Sequence, residues 1–203
     1  MSNYKRIQGR INYRKSIFFV TEGEASEEAY LKIVWNKLEL REYCNARFCH
    51  EKSSIPAMLA TAKKLEKDKA FNPKKGDELW IILDYDEQCH FPEQFKELST
   101  WENEKPHRHV AISTPRFEYW LLMHLDEHPS KEKCMSDDYM QQRIPNFKKL
   151  PIGTPSINRT RIIAAMERAL SASVPSCEKP YIIGSSLGLL IRNLLQQKQA
   201  TSN

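Results

Sequence analysis

The chain has 203 residues, of which 40% are apolar and 28% charged, the size and balance of one ordinary globular domain with a core of its own. No stretch approaches the roughly 18 consecutive apolar residues that a membrane span needs, and the N-terminus MSNYKRIQGRINYRK has no apolar signal-peptide core, so a cytoplasmic protein without membrane association is expected. The net charge of +5 is unevenly placed, with Lys5, Arg6, Arg10, Arg14 and Lys15 at the N-terminus and Lys148, Lys149, Arg159 and Arg161 in the last third; such clusters suit a phosphate backbone and equally suit solubility.

Residues 1–14 read as a basic arm. Residues 16–21 (SIFFVT) form a short aromatic and β-branched run bounded by Gly23, which predicts a buried strand. Ser26 offers an N-cap to a helix over 27–40, where Ala29, Tyr30, Ile33, Val34, Trp35 and Leu38 recur at helical spacing. Residues 46–49 are a weaker strand candidate, and Pro56 sits near the start of a second helix over 57–69. NPKKGD is a loop, and 78–83 (ELWIIL) is the most continuously apolar strand, running directly into Asp84, Tyr85 and Asp86. A third helix is predicted over 92–101, a fourth strand over 109–113 and a buried helix over 117–125.

Strand and helix thus alternate four times, which predicts an α/β, Rossmannoid core over 15–128: about four mostly parallel strands flanked by helices. Residues 129–203 read as a loop-rich, proline-spaced connection followed by two C-terminal helices, 159–172 and 186–197, packed on that core. Five cysteines (Cys44, Cys49, Cys89, Cys134, Cys177) are odd in number and without a CxxC pair, which speaks for reduced structural thiols rather than a disulfide framework or a zinc ribbon.

In an open parallel sheet, ligands gather beyond the carboxyl ends of the strands. Glu22 follows the first strand there, Asp84 and Asp86 follow the third, and Glu118 lies shortly after the fourth. Asp84 and Asp86 are two residues apart, so in extended backbone both side chains point to one side, roughly 7 Å apart. Singly, each acid is as well explained by a turn or a cap. Jointly, carboxylates converging on one edge repel one another unless a hard cation sits among them, and all-oxygen ligation points to Mg²⁺ or Mn²⁺ and to phosphoryl chemistry.

These residues resemble the Toprim domain, with a glutamate-glycine after the first strand and a DxD after the third. More closely, EGEASE (22–27), DYD (84–86) and STPRFEYWLLMH (113–124) resemble the motifs of the RloB-like Toprim proteins, over roughly residues 15–125. Departures are Ser26 for the usual Thr, Tyr85 for the usual Arg and Arg116 for the usual Cys. The resemblance implies a metal-dependent endonuclease, acting on RNA (tRNA included) or DNA. It also implies a prokaryotic anti-phage setting with an ABC- or AAA-type ATPase partner.

By the same resemblance Glu22, Asp84 and Asp86 hold Mg²⁺ or Mn²⁺ and carry catalysis, with Glu22 alternatively a general acid or base. Glu27 is either a further metal ligand or a first-turn acid that complements the helix dipole. Glu118, a carboxylate inside an apolar helix, is expected at the active site. Arg116, Lys148, Lys149, Arg159 and Arg161 are candidate nucleic-acid contacts or a solvated surface. His124, four residues after Trp120, is expected to be a core imidazole with its bonds made; Cys89 and His90 are weak as a zinc pair. Nucleotidyl transfer and an inactive scaffold are the competing functions, and whether the chain forms a homodimer is left open.

Overall fold

The computed structural model describes residues 14–22, 26–51, 54–85 and 92–202. Its first strand, β1 (Lys15–Thr21), sends Ile17 and Phe19 to one face and Phe18 and Val20 to the other, all at most 4% exposed. Such two-sided burial belongs to a central parallel strand. Helix α1 (Ser26–Lys37) follows. It stops short of the predicted residue 40 because Glu39 turns left-handed (φ 56°) and a 3₁₀ turn, Leu40–Glu42, carries the fully buried Leu40 into the core. Ser26 is the first helical residue rather than the cap, and its hydroxyl donates to the Lys148 carbonyl at 3.3 Å.

Strand β2 (Cys44–His50) is longer than expected at both ends. Helix α2 (Ile55–Leu65) is capped by Ser54, whose Oγ accepts the Ala57 N–H at 3.3 Å, with Pro56 in its first turn. Strand β3 (Glu78–Asp84), helix α3 (Pro92–Asn103) and strand β4 (Arg108–Thr114) complete the alternation. Helix α4 (Phe117–Leu122) is shorter than predicted, since the chain tightens into three-residue turns from His124 to Leu121 and from Leu125 to Leu122.

The sheet runs β2-β1-β3-β4-β5, with the first four strands parallel. The protein is therefore a mostly parallel, Rossmann-like α/β fold with a helical C-terminus, as its alternating pattern predicts. The segment expected to be loop-rich also contains two short helices, α5 (Lys131–Met135) and α6 (Asp137–Arg143). After α7 (Arg159–Ser171) comes an unpredicted strand, β5 (Gly184–Ser185), antiparallel to β4, and then α8 (Leu187–Ser202). α1, α4, α7 and α8 bury one face of the sheet, and α2 and α3 the other. α7 and α8 approach closely at Gly188, where a Cβ would lie 2.9 Å from that of Ala169. Among the described residues no helix is long and apolar enough to cross a membrane.

Candidate functional site

Parallel pairing brings the carboxyl ends of four strands level: Thr21 is in register with His50 and Ile82, and Asp84 with Ser113. Glu22, one residue past β1, accepts the Asp84 N–H at 3.1 Å and so ties the tops of β1 and β3 together. The Asp84 carboxylate accepts the N–H of Phe117 at the start of α4. Glu27 lies in the first turn of α1 and is 9% exposed; Glu118 is the second residue of α4, its side chain 12% exposed.

Two of these carboxylates, Asp84 and Glu27, feel the charge of the others. Burial, and after it Glu27, Glu22 and Glu118, hold the Asp84 carboxyl well above its usual range, against the Phe117 N–H that lowers it. Burial likewise pushes Glu27 up to about 7; its own backbone N–H opposes the shift, while Glu118 and Glu22 add to it. Protonation relieves such a cluster in one way and a cation in another. The donors are all oxygen, which fits Mg²⁺ or Mn²⁺ and not zinc. Among the described residues, no three His, Cys, Asp or Glu side chains already stand close enough together to hold an ion. Asp86, Cys89 and His90 lie outside the described residues, so the Asp84–Asp86 pair is represented by Asp84 alone.

A neighbouring chain of contacts was not foreseen. His50, the last residue of β2, meets Thr21 Oγ1 through Nδ1 (2.9 Å) and Glu28 through Nε2 (2.5 Å). It is also close enough to Glu27 to lower that carboxyl's proton affinity. The rule that singled out Glu22 and Asp84 applies to it too, but the predicted strand ended one residue early.

The expected phosphate-binding residues are placed unequally. Arg116 is engaged within the protein: its Nε donates to the Cys134 carbonyl at 2.9 Å, and it pairs with Glu118 (3.3 Å) and Asp137 (3.0 Å), fastening α4 to α5 and α6. Lys148 pairs with Asp137, and its carbonyl receives the Ser26 hydroxyl, which sets it beside the start of α1. Lys149 is exposed in the 3₁₀ turn Phe147–Lys149, and Arg159 and Arg161 are exposed in the first turn of α7. His124 is a core residue, 2% exposed: its Nδ1–H donates to the Trp120 carbonyl (3.0 Å) and its Nε2 accepts the Tyr30 hydroxyl (3.1 Å). Burial pushes its pKa down to about 4, so the ring is neutral.

A family model described as RloB-like protein matches residues 17–194, well over half of the chain. No curated protein matches, and neither does any solved structure.

Proposed function

The chain belongs to the RloB-like protein family, and from that premise we propose that it is a metal-dependent phosphodiester hydrolase: a nuclease on RNA or DNA. In this reading it is the effector of a prokaryotic anti-phage system with an ABC-type ATPase partner. The observation that carries the chemistry is the gathering of Glu22, Glu27, Asp84 and Glu118, from the turn after β1 and from α1, β3 and α4, in surroundings that raise the proton affinity of Glu27 and Asp84.

Glu22 and Asp84, with Asp86, would hold Mg²⁺ or Mn²⁺, which supplies an activated water and neutralises charge at phosphorus. The Asp84 N–H holds the Glu22 carboxylate, and the Phe117 N–H holds that of Asp84, so both are positioned before substrate arrives. Glu27, with its affinity for a proton near neutrality, is suited to exchange one with water at the working pH. Arg116 holds Glu118 in place from the α5–α6 side, and Glu28 holds His50 against Thr21.

The test is cleavage of labelled tRNA, other RNA and DNA in Mn²⁺ or Mg²⁺, with and without an ABC-type ATPase partner. Glu22→Gln and Asp84→Asn serve as controls, and thermal stability is followed as metal is added. Cleavage and a metal-dependent rise in Tm are expected in the wild type and in neither variant. Equal inertness of all three proteins, with no metal response, would replace the nuclease by a scaffold; joining of nucleotides without cleavage would replace it by a nucleotidyl transferase.

A further inference from the structure

β2 is an edge strand: among the described residues it pairs with β1 alone. Glu51 N–H bonds the Thr21 carbonyl on the β1 side. By the alternation of a parallel ladder, Ala46, Phe48 and His50 therefore turn their backbone N–H and C=O groups to the open edge. The same alternation puts the side chains of Cys44, Ala46, Phe48 and His50 on the α1 face.

Along that face runs an open groove of about 380 Å³, walled by Arg14, Lys32, Trp35, Arg41, Asn45 and Phe48, with no carboxylate among its lining residues. Arg14 and Arg41 are exposed and have no ion-pair or hydrogen-bond partner among the described residues. Phe48 is half-buried, with one face of its ring stacked on Phe19 (centroids 5.4 Å apart) and Lys32 over it at 5.8 Å. The groove ends where the site begins: Lys32 pairs with Glu28, Glu28 with His50, and His50 with Thr21, one residue from Glu22.

Two arginines without an ion-pair partner among the described residues, beside an aromatic ring on a track about 20 Å long, are the parts of a surface that grips a phosphodiester backbone and stacks a base. We propose that the β2 edge binds single-stranded nucleic acid and leads it to the carboxylate cluster. Arg14 and Arg41 hold phosphates, Lys32 leaves Glu28 and Phe48 to hold a third, and a base takes its place on the ring. The inference rests on the nuclease reading for its direction and deepens it, since it makes a single strand the substrate form. A duplex cannot bring a base face onto Phe48 without unstacking it.

The test is fluorescence anisotropy of the whole protein in EDTA with short single-stranded RNA and DNA probes, over a range of salt. Arg14→Gln with Arg41→Gln should weaken binding at least about 10-fold and reduce the slope of log affinity against log salt by about 1.4, the loss of two single-strand phosphate contacts. Lys67→Gln with Lys69→Gln removes the same charge from the exposed turn after α2 and should leave that slope unchanged. Phe48→Leu keeps apolar bulk against Phe19; it should weaken binding several-fold with no change in slope. Absence of binding by the wild type overturns the proposal, as does equal loss in the two double variants or an unchanged slope in the arginine pair. Since no cleavage occurs in EDTA, groove-dependent binding by a protein that never cleaves would defeat the nuclease reading and leave the groove standing. Cleavage with groove-independent binding would do the reverse.

Discussion

Acidic residues stand at both ends of β3, and the protein treats them in opposite ways. At the amino end Asp77, 1% exposed, accepts two backbone N–H groups, from Ser16 at 2.7 Å and Asn72 at 2.8 Å. Beside it Glu78 takes donors from Trp80 (3.2 Å), Asn193 (3.2 Å) and Gln197, with Lys15 at 3.7 Å. At the carboxyl end Asp84 faces Glu22, Glu27 and Glu118, and burial together with these carboxylates raises its proton affinity. One end stabilises the fold by giving its carboxylates donors; the other crowds buried carboxylates together, with the Arg116–Glu118 pair at its side, the kind of arrangement found where function is favoured over stability.

The sharpest way to break this comparison is to neutralise one acid at each end. Asp84→Asn should cost about 10³-fold in turnover, roughly 4 kcal/mol of transition-state stabilisation, while the metal-free protein melts no lower than the wild type because a repulsive charge has gone. Asp77→Ala should do the opposite. It orphans the Ser16 and Asn72 N–H groups and costs roughly 3 kcal/mol in denaturant unfolding, with activity per folded molecule retained.

The pH dependence of stability sharpens the same contrast. The folded pKa of Glu27, about 7, lies above its ordinary 4.5. Its contribution is therefore fully present below pH 4.5 and is lost as pH rises to 7, up to about 3 kcal/mol in metal-free protein. Glu27→Gln should abolish that slope. His124, brought down from 6.5 to about 4, has the opposite sign: its contribution is complete above pH 6.5 and is lost as pH falls towards 4. Unfolding curves of Glu27→Gln and His124→Gln should therefore diverge from the wild type in opposite directions between pH 4.5 and 6.5.

The smallest effect is expected at Arg116. Arg116→Ala should lower stability by about 1–2 kcal/mol, by unfastening α4 from α5 and α6, without changing the salt dependence of nucleic-acid binding. A lowered salt slope would return Arg116 to the phosphate contacts.

How much of this could be read from the sequence follows from how strongly each segment is determined by its own residues. ELWIIL is apolar on both faces, so it had to be a buried central strand, and its end located Asp84. β2 is half-exposed along most of its length, its pattern is weak, and His50 went unseen with it. β5 is two residues long, Gly184 and Ser185, and has no periodicity of its own; it is a strand because β4 offers it an edge. Arg116 and Arg41 look alike as charges in the sequence. That one is bound on three sides and the other has no partner among the described residues is decided by α5, α6 and the β2 edge, which local pattern does not specify.

The β5 junction also bears on the order in which the protein is made. Ser186 holds Ile112 from both sides of its peptide unit, its hydroxyl accepting the Ile112 N–H at 2.6 Å and its own N–H meeting the Ile112 carbonyl at 2.9 Å. The 74 positions between them take roughly 4–15 s to translate at ~5–20 residues per second. Throughout that interval the outer edge of β4 is unpaired and the strand next to Asp84 lacks its clamp. A nascent chain therefore carries every carboxylate of the cluster well before it can hold them in place, and the site is completed only once Ser186 has been added.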